Sequence, residues 1–276
     1  MPELPEVETV VRDLRPRVIG RTIVSATVRW NRTIAIPSAA AFTKQMRGFK
    51  ITAITRRGKY LIFHLRRKKN PTIKYLLVHL RMTGGFRIDP RAAPRDKHMH
   101  VCIHLDNGKE LRFRDTRKFG RMWLVDDPEQ VVGKLGPEPL KISAREFQRL
   151  FETRRGNLKP LLLNQTFIAG IGNIYADESL WHARLHPLRR AESLSQDERA
   201  RLFRAIRQVL TRAIAVGGTS IDVMYTRVNG ASGKFVESLR AFDQEERPCR
   251  RCGTPIQKTV VGQRGTHFCP SCQKLK

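Results

Sequence analysis

The chain opens Met1-Pro2-Glu3-Leu4-Pro5-Glu6-Val7-Glu8, and three of these residues could do chemistry together. Removal of Met1, which the small residue after it permits, leaves the nitrogen of Pro2 as a free secondary amine. Such an amine adds to an aldehyde-like carbon and loses water, giving an iminium ion with no N–H to shed. That cation draws electrons from neighbouring bonds, as Schiff-base lysines do. Glu3 and Glu6 are close enough in sequence to move protons for it. The same residues have an ordinary explanation as well. Glutamates in a first helical turn complement the helix dipole, many chains begin Met-Pro without catalysis, and a short motif alone does not separate the two readings.

A second chemical pattern stands at the other end. Cys249-x2-Cys252 and Cys269-x2-Cys272 are separated by residues 253–268. Each pair puts two thiolates on one knuckle turn, and two knuckles complete a tetrahedral four-thiolate site. Residues 256–261 and 266–268 read as a hairpin, in a segment too small to bury a core, so a metal must supply its folding energy. No βαβ context supports a redox reading of the CxxC pairs. With every position filled by protein, the expected ion is one structural Zn2+, and no redox cofactor is implied. The turn Gly262-Gln263-Arg264-Gly265 carries an arginine that could meet a phosphate or simply be solvated.

Weaker signals lie between. Lys59, in Arg56-Arg57-Gly58-Lys59, starts an apolar strand that fixes its orientation, unlike the solvated run Arg66-Arg67-Lys68-Lys69. Asp115-Thr116-Arg117-Lys118-Phe119-Gly120 pairs cations with a ring, and Arg81-Met82-Thr83-Gly84-Gly85 offers a thioether. Phe119 or Met82 could wedge into a duplex while Arg117 holds an orphaned base, although burial is the commoner fate of Met and Phe. Gly170-Ile171-Gly172-Asn173, between two helices, lets backbone N–H groups and an Asn amide approach phosphate. His98 and His100 read as one side of a strand, without a third metal ligand, for phosphate contact or packing. Cys102 reads as buried and inert.

These residues need elements to hold them. Val7, Val10, Val11 and Leu14 give one apolar helix face after Pro5, ending near Pro16 and Gly20. Strand patterns follow at residues 22–30, 50–56, 60–65, 73–80, 101–105 and 110–114, the last pair joined by Asn107-Gly108, with a short helical excursion at 38–46. Strands without intervening helices predict an antiparallel sandwich or barrel. Helices are predicted from Ser143, which opens a capping box with Glu146, and over 159–164, 173–183 and 196–216, the last stopped by Gly217-Gly218. Residues 219–246 read as loop and linker.

Length and charge bound the function. A chain of 276 residues holds two domains or more. Lys and Arg number 53 against 25 Asp and Glu, a net charge of +28 spread along the sequence. A basic folded surface calls for a polyanion, with nucleic acid foremost and ribosomal or chromatin-like binding still open. No run approaches the ~20 apolar residues of a membrane span, and the basic-then-apolar order of a signal peptide is missing. A cytosolic, reducing compartment is expected, which again points the cysteine cluster to metal.

Taken together, MPELPEVE, RRGKYL, HLRMTG, KHMHV, DTRKFG, GIGNIYADESLW and the four-cysteine finger with Gln263-Arg264 resemble the bacterial formamidopyrimidine-DNA glycosylase family, in its order and spacing over nearly the whole chain. The resemblance implies an α+β multidomain fold: an N-terminal antiparallel β-sandwich with a flanking helix (1–130), a helical helix-two-turns-helix domain (131–240) with a lesion loop at about 219–240, and a zinc-finger hairpin (241–276). It implies Pro2 as nucleophile at C1′, Glu3 as proton donor for sugar opening and base loss, and Glu6 as hydrogen-bonding support. Lys59 and Arg264 would donate protons in β- and δ-elimination. Met82, Arg117 and Phe119 would fill the void of a flipped nucleotide, and His98, Arg117, Arg154, Asn173 and Arg264 would grip DNA.

The implied activity is base-excision repair of damaged double-stranded DNA: a glycosylase for formamidopyrimidines and 8-oxoguanine with abasic-site lyase activity, acting as a monomer in the bacterial cytosol and nucleoid-associated when on DNA. Arg154 stands where the family commonly has lysine, and either charge serves a phosphate with a different geometry. One departure bears on lesion preference: Ala241-Phe242-Asp243-Gln244 replaces a Tyr-Gly-Arg-like step. A sister reading, an oxidised-pyrimidine glycosylase of the endonuclease VIII type, keeps the chemistry, but Leu4 and the Arg117/Phe119 wedge favour purines. A different reading, a non-catalytic zinc-containing DNA binder, makes Pro2 incidental.

Overall fold

A computed structural model describes residues 1–67, 72–221 and 225–275; Lys68 and Lys69 of the basic run lie outside the described residues. The chain divides into two compact units, Met1–Lys134 with Gly217–Lys234, and Leu135–Val216 with Phe235–Lys276. Among the described residues no helix is long and apolar enough to cross a membrane.

The first unit begins with α1 (Leu4–Val18), whose four predicted apolar residues are all at most 1% exposed. The helix runs through Pro16 to Val18 rather than stopping at the proline. Then come β1 (Ile23–Val28), β2 (Ile34–Ile36), α2 (Ala39–Met46), β3 (Lys50–Arg57), β4 (Tyr60–Arg66), β5 (Ile73–His79), β6 (Gly84–Pro90), β7 (Met99–Leu105), β8 (Lys109–Asp115) and β9 (Arg121–Val125). They form a four-stranded sheet ordered β1-β7-β8-β6 and a five-stranded sheet ordered β2-β9-β5-β4-β3. The sheets face one another across one core, where the rings of Phe63 in β4 and Phe86 in β6 meet edge-on at 5.9 Å. The sandwich is antiparallel except at one place, where β2 pairs parallel to β9.

Three strands, β2, β6 and β9, fall outside the strand patterns read from the sequence. β2 has only three residues, and β6 begins with two glycines and ends at a proline. His98 and His100 do not share a strand face: β7 starts at Met99, and its register shifts between Met99 and Val101. Cys102 is buried, and desolvation raises its thiol pKa.

The first unit's main stretch ends after α3 (Glu129–Val132); the second unit holds α4 (Ala144–Arg149), α5 (Leu158–Leu163), α6 (Asn173–Ala183) and α7 (Gln196–Ala215), followed by the hairpin β10 (Gln257–Val261) and β11 (Arg264–Phe268). Ser143 and Ser195 each close a capping box, with Glu146 and Glu198. The turns between α5 and α6 are filled by Gln165. Its amide donates to the carbonyls of Leu163 and Ile171 and accepts from the Gly170 N–H, giving the two-turn connection a fixed shape.

Residues 217–234 group with the first unit, whereas the sequence reading put the loop from 219 with the helices. The physical reason is burial: Tyr225 and Val228, 6% and 7% exposed, belong to the core that α1 and the sheets build.

Candidate functional site

Glu3 is the N-cap of α1 and closes a reciprocal capping box with Glu6. The Glu3 N–H donates to one Glu6 oxygen at 2.8 Å. Both carboxylates are buried, at 2% and 1% exposure, and Pro2 just before them is buried as well. The box serves two orphan donors at once and thereby holds the backbone that leads to Pro2. The other Glu6 oxygen accepts the Thr219 N–H at 2.7 Å. Gly218 makes that approach possible: its φ is +80°, and a Cβ there would sit 2.8 Å from the same Glu6 oxygen. Gly218→Ala should therefore cost roughly 1–2 kcal/mol from backbone conformation alone and displace Glu6. A thermal melt reads the cost, and an unchanged midpoint would show that the Glu6–Thr219 contact yields freely.

Lys59 is 6% exposed, in the two-residue turn that follows the Arg57–Tyr60 pairing of β3 and β4. Gly58, with φ +54°, supplies the positive dihedral of that turn. Arg56 ties the turn to α1, donating to the Gly58 carbonyl at 2.9 Å and to Glu8 at 3.1 Å. Burial pushes the Glu8 carboxyl up, but Arg12 and Arg56 outweigh it and hold the group below its usual range. The Lys59 turn and the Pro2 segment are thus both fixed to the first two turns of one helix.

The sequence reading passed over His79 within HLRMTG. The β4–β5 register puts it opposite Tyr60, edge-on at 4.7 Å. Burial, then the charges of Arg81 and Lys59, push its pKa down to about 3, so it is a neutral imidazole near neutral pH. Its Nδ1 accepts the Arg81 N–H. Only the strand register, which is non-local, reveals this neighbourhood.

The wedge candidates share one cluster. The Asp115 carboxylate accepts from the Thr83 hydroxyl and from the N–H groups of Arg117 and Gly120, lacing the turn after β8 to the turn that carries Met82. Phe119 is 48% exposed instead of buried, with the Arg117 guanidinium 5.0 Å from its ring centre. Met82 is half-buried. His98, half-buried, precedes β7, and its carbonyl accepts the Asp115 N–H. His100 is buried and donates from Nε2 to the Asp115 carbonyl at 2.7 Å, a packing role.

In the second unit, Asn173 begins α6 and donates its amide N–H to the Gly265 carbonyl at 3.0 Å. Lys159, fully buried on α5 and absent from the sequence-level site, donates to the same carbonyl at 2.9 Å and to Thr266 Oγ1 at 2.8 Å. It also pairs with Asp177 at 2.6 Å, and Asp177 accepts the His267 N–H at 3.0 Å. The hairpin tip is therefore clamped to two helices, immediately beside exposed Arg264. Gly262 and Gln263, with φ of +55° and +61°, make the tip, and Arg264 begins the returning strand. Arg154 lies half-buried after α4, apart from this clamp in sequence.

The four cysteine Sγ atoms lie within 4.8 Å of one another. A hydrogen bond from Thr254 brings the Cys252 thiol down to about 6, while burial pushes Cys269 up to about 12. Four thiolates that close repel unless a cation neutralises them, and four soft donors at this spacing suit Zn2+. The Cys269 N–H donates to buried Gln273, whose own amide donates to the Leu185 carbonyl, so the knuckle is braced on the helical layer. Trp181, Ala241 and Ile256 pack around it.

Comparison with known proteins follows this layout. Residues 1–122 match the model of the formamidopyrimidine-DNA glycosylase N-terminal domain, 135–225 that family's H2TH domain, and 247–275 the zinc finger found in FPG and IleRS. The formamidopyrimidine-DNA glycosylase of Protochlamydia amoebophila is 43% identical, covering 99% of this chain and 100% of its own. That of Herpetosiphon aurantiacus is 45% identical, with coverages of 99% and 100%. A Lactococcus lactis FPG mutant, solved in complex with Fapy-dG-containing DNA, superposes with a TM-score of 0.91 at 37% identity, over 99% of this chain and 100% of that one. A helical middle section, a four-cysteine finger and a proline-led, doubly capped first helix all fall inside these matches, and the chain belongs to the formamidopyrimidine-DNA glycosylase family.

Proposed function

We propose that the protein is a base-excision repair enzyme: a DNA glycosylase for oxidised purines, with lyase activity at the resulting abasic site. The observation that carries the reading is the buried Glu3–Glu6 capping box directly after Pro2. It fixes Pro2, whose nitrogen becomes a terminal amine once Met1 is removed, next to two carboxylates that a non-catalytic DNA binder has no need to bury.

In the first step the Pro2 nitrogen forms a bond to C1′, and the bond from C1′ to the base breaks with its electron pair leaving on the base, which takes up a proton as the Pro2 nitrogen gives up its own. Glu3 donates a proton to the ring oxygen O4′ as the C1′–O4′ bond opens, leaving the iminium of Pro2. The iminium acidifies C2′–H. Loss of that proton expels the 3′-phosphate, and a second elimination expels the 5′-phosphate, with Lys59 and Arg264 as the respective proton donors. Water then releases the sugar fragment and regenerates the amine. Glu6 holds Glu3 and, through Thr219, the loop from 219 onward.

Met82, Arg117 and Phe119 occupy the gap of the flipped nucleotide, whose extrusion costs a few kcal/mol and less at a damaged pair. His98, Arg117, Arg154, Asn173 and Arg264 contact the DNA. Zn2+ on Cys249, Cys252, Cys269 and Cys272 supplies folding energy to the hairpin and takes no part in bond cleavage. The protein works as a monomer in the cytoplasm, on the nucleoid. Its +28 charge makes affinity fall steeply with salt.

The test is covalent trapping. Protein incubated with an 8-oxoguanine duplex and borohydride should yield a protein–DNA adduct that Pro2→Gly removes. Tight binding without any adduct would leave only the non-catalytic reading. A parallel duplex carrying an oxidised pyrimidine, if trapped faster, would move the substrate to the pyrimidine branch.

A further inference from the structure

Helix α1 buries more than an apolar face. Glu6, Thr9 and Asp13, spaced by three and four, form a second stripe that is only 1%, 4% and 8% exposed. Carboxylates that deep are costly unless each finds a partner. Beyond the Glu3 N–H on Glu6 and the Pro5 carbonyl that the Thr9 hydroxyl meets within the helix, partners come from the segment after α7. The Thr219 N–H reaches Glu6, and the Tyr225 hydroxyl donates to the Glu6 carbonyl at 3.4 Å. The Tyr225 hydroxyl lies beside Thr9 and also donates to the Gly217 carbonyl at 3.4 Å. Arg227 grips Asp13 with two bonds, Nε at 3.1 Å and a terminal nitrogen at 2.6 Å.

That segment has a shape of its own. Ser220 Oγ donates to the Tyr225 carbonyl and accepts the Gly233 N–H. The Arg227 N–H donates to the Ala231 carbonyl. Gly233 approaches the backbone of residues 217–218 so closely that a Cβ there would lie 2.3 Å from the Gly218 oxygen. The stripe therefore meets a folded pad.

An apolar face attracts without direction, so the neighbouring Val7–Leu14 face of α1 anchors the helix while fixing its rotation loosely. Hydrogen bonds and a bidentate ion pair are directional. They act at both ends of the stripe, at Glu6 beside the capping box and two turns later at Asp13. We infer that Asp13 and Arg227 are positioning residues: their ion pair, acting with the Glu6–Thr219 contact, sets the rotation of α1 and so the aim of Pro2 and Glu3. The inference rests on the proposed function, since it is that chemistry whose rate it controls. Neither residue touches the reacting atoms.

Single-turnover trapping on an abasic-site duplex, with rate and half-saturating DNA concentration measured separately, tests this. Arg227→Gln should lower the saturated trapping rate about tenfold, since a misplacement of 1 Å can cost up to 10²-fold. The half-saturating concentration should stay within about twofold of wild type, because the phosphate contacts are elsewhere. Arg227→Lys, which restores a charged partner for Asp13, should recover most of the rate. Should Arg227→Gln be unfolded at the assay temperature, the isosteric Asp13→Asn takes its place with the same expected fall. A wild-type rate in a folded variant, even one with a lowered melting point, would make the pair purely structural and overturn the inference. A wild-type protein that gives no adduct at all would remove the proposed function, and this inference with it, a result distinct from a variant-specific loss.

Discussion

Protein that retains a residue before Pro2 should form no trapped adduct, while one processed to Pro2 forms it readily. With Met1 in place the Pro2 nitrogen is an amide, its lone pair shared with the carbonyl, and it cannot add to C1′. No other group in the buried segment replaces it: Glu3 and Glu6 are committed to the capping box, and neither can make an iminium. A preparation with an N-terminal extension that only a specific protease removes should lose trapping and strand cleavage by at least roughly 10³-fold, the scale seen when a nucleophile is removed. DNA binding should fall far less, because the charge is unchanged. The check is one tagged preparation whose tag is then cut back to Pro2. Restored trapping is the expected result, and equal trapping before and after cutting would move the nucleophile to another residue.

Much of this arrangement is legible in sequence because it is local. The first helix follows from the spacing of Val7, Val10, Val11 and Leu14 after Pro5, and all four are buried. Helix α6 starts and stops where Asn173 and Ala183 predict, since Gly172 precedes it and Arg184 leaves it in a left-handed conformation. The four cysteines converge as their spacing requires.

What stays hidden is pairing across long separations. Nothing in Ile34–Ile36 announces a parallel partner at residues 122–123. Lys159 reads as a polar interruption in an apolar helix until Asp177 and the hairpin tip appear beside it. Glu6, Thr9 and Asp13 lie off the apolar stripe of α1, and only the return of Tyr225 and Arg227 turns that side into an interior. For Lys159, Glu6 and Asp13 the partner is 18 to more than 200 residues away.

Withdrawal of zinc should unfold the C-terminal hairpin while α6 and α7 survive. A two-stranded ribbon is marginal by itself in water, and β10 exposes most of its length, with Val260 72% exposed. The apolar patch beneath the knuckles is small, formed by Trp181, Ala241, Cys249, Ile256 and Cys269. Structural zinc contributes roughly 10 kcal/mol or more near neutral pH, far beyond what that patch supplies. Helices α6 and α7 rest instead on a separate set of buried side chains, including Leu180, Leu202, Ile206 and Leu210.

Chelation, or Cys252→Ser, should therefore remove the metal and accelerate amide exchange across residues 257–268, leaving helical circular dichroism largely intact. Unfolding the hairpin also takes the Gly265 carbonyl from Asn173 and Lys159, so DNA binding and cleavage should fall together. Arg264→Ala is the matching control: it should weaken DNA binding and δ-elimination with zinc at the wild-type level. Unchanged exchange in metal-free protein would show that packing on Trp181, not the metal, folds the hairpin. Loss of zinc in Arg264→Ala would make that arginine a structural residue of the finger.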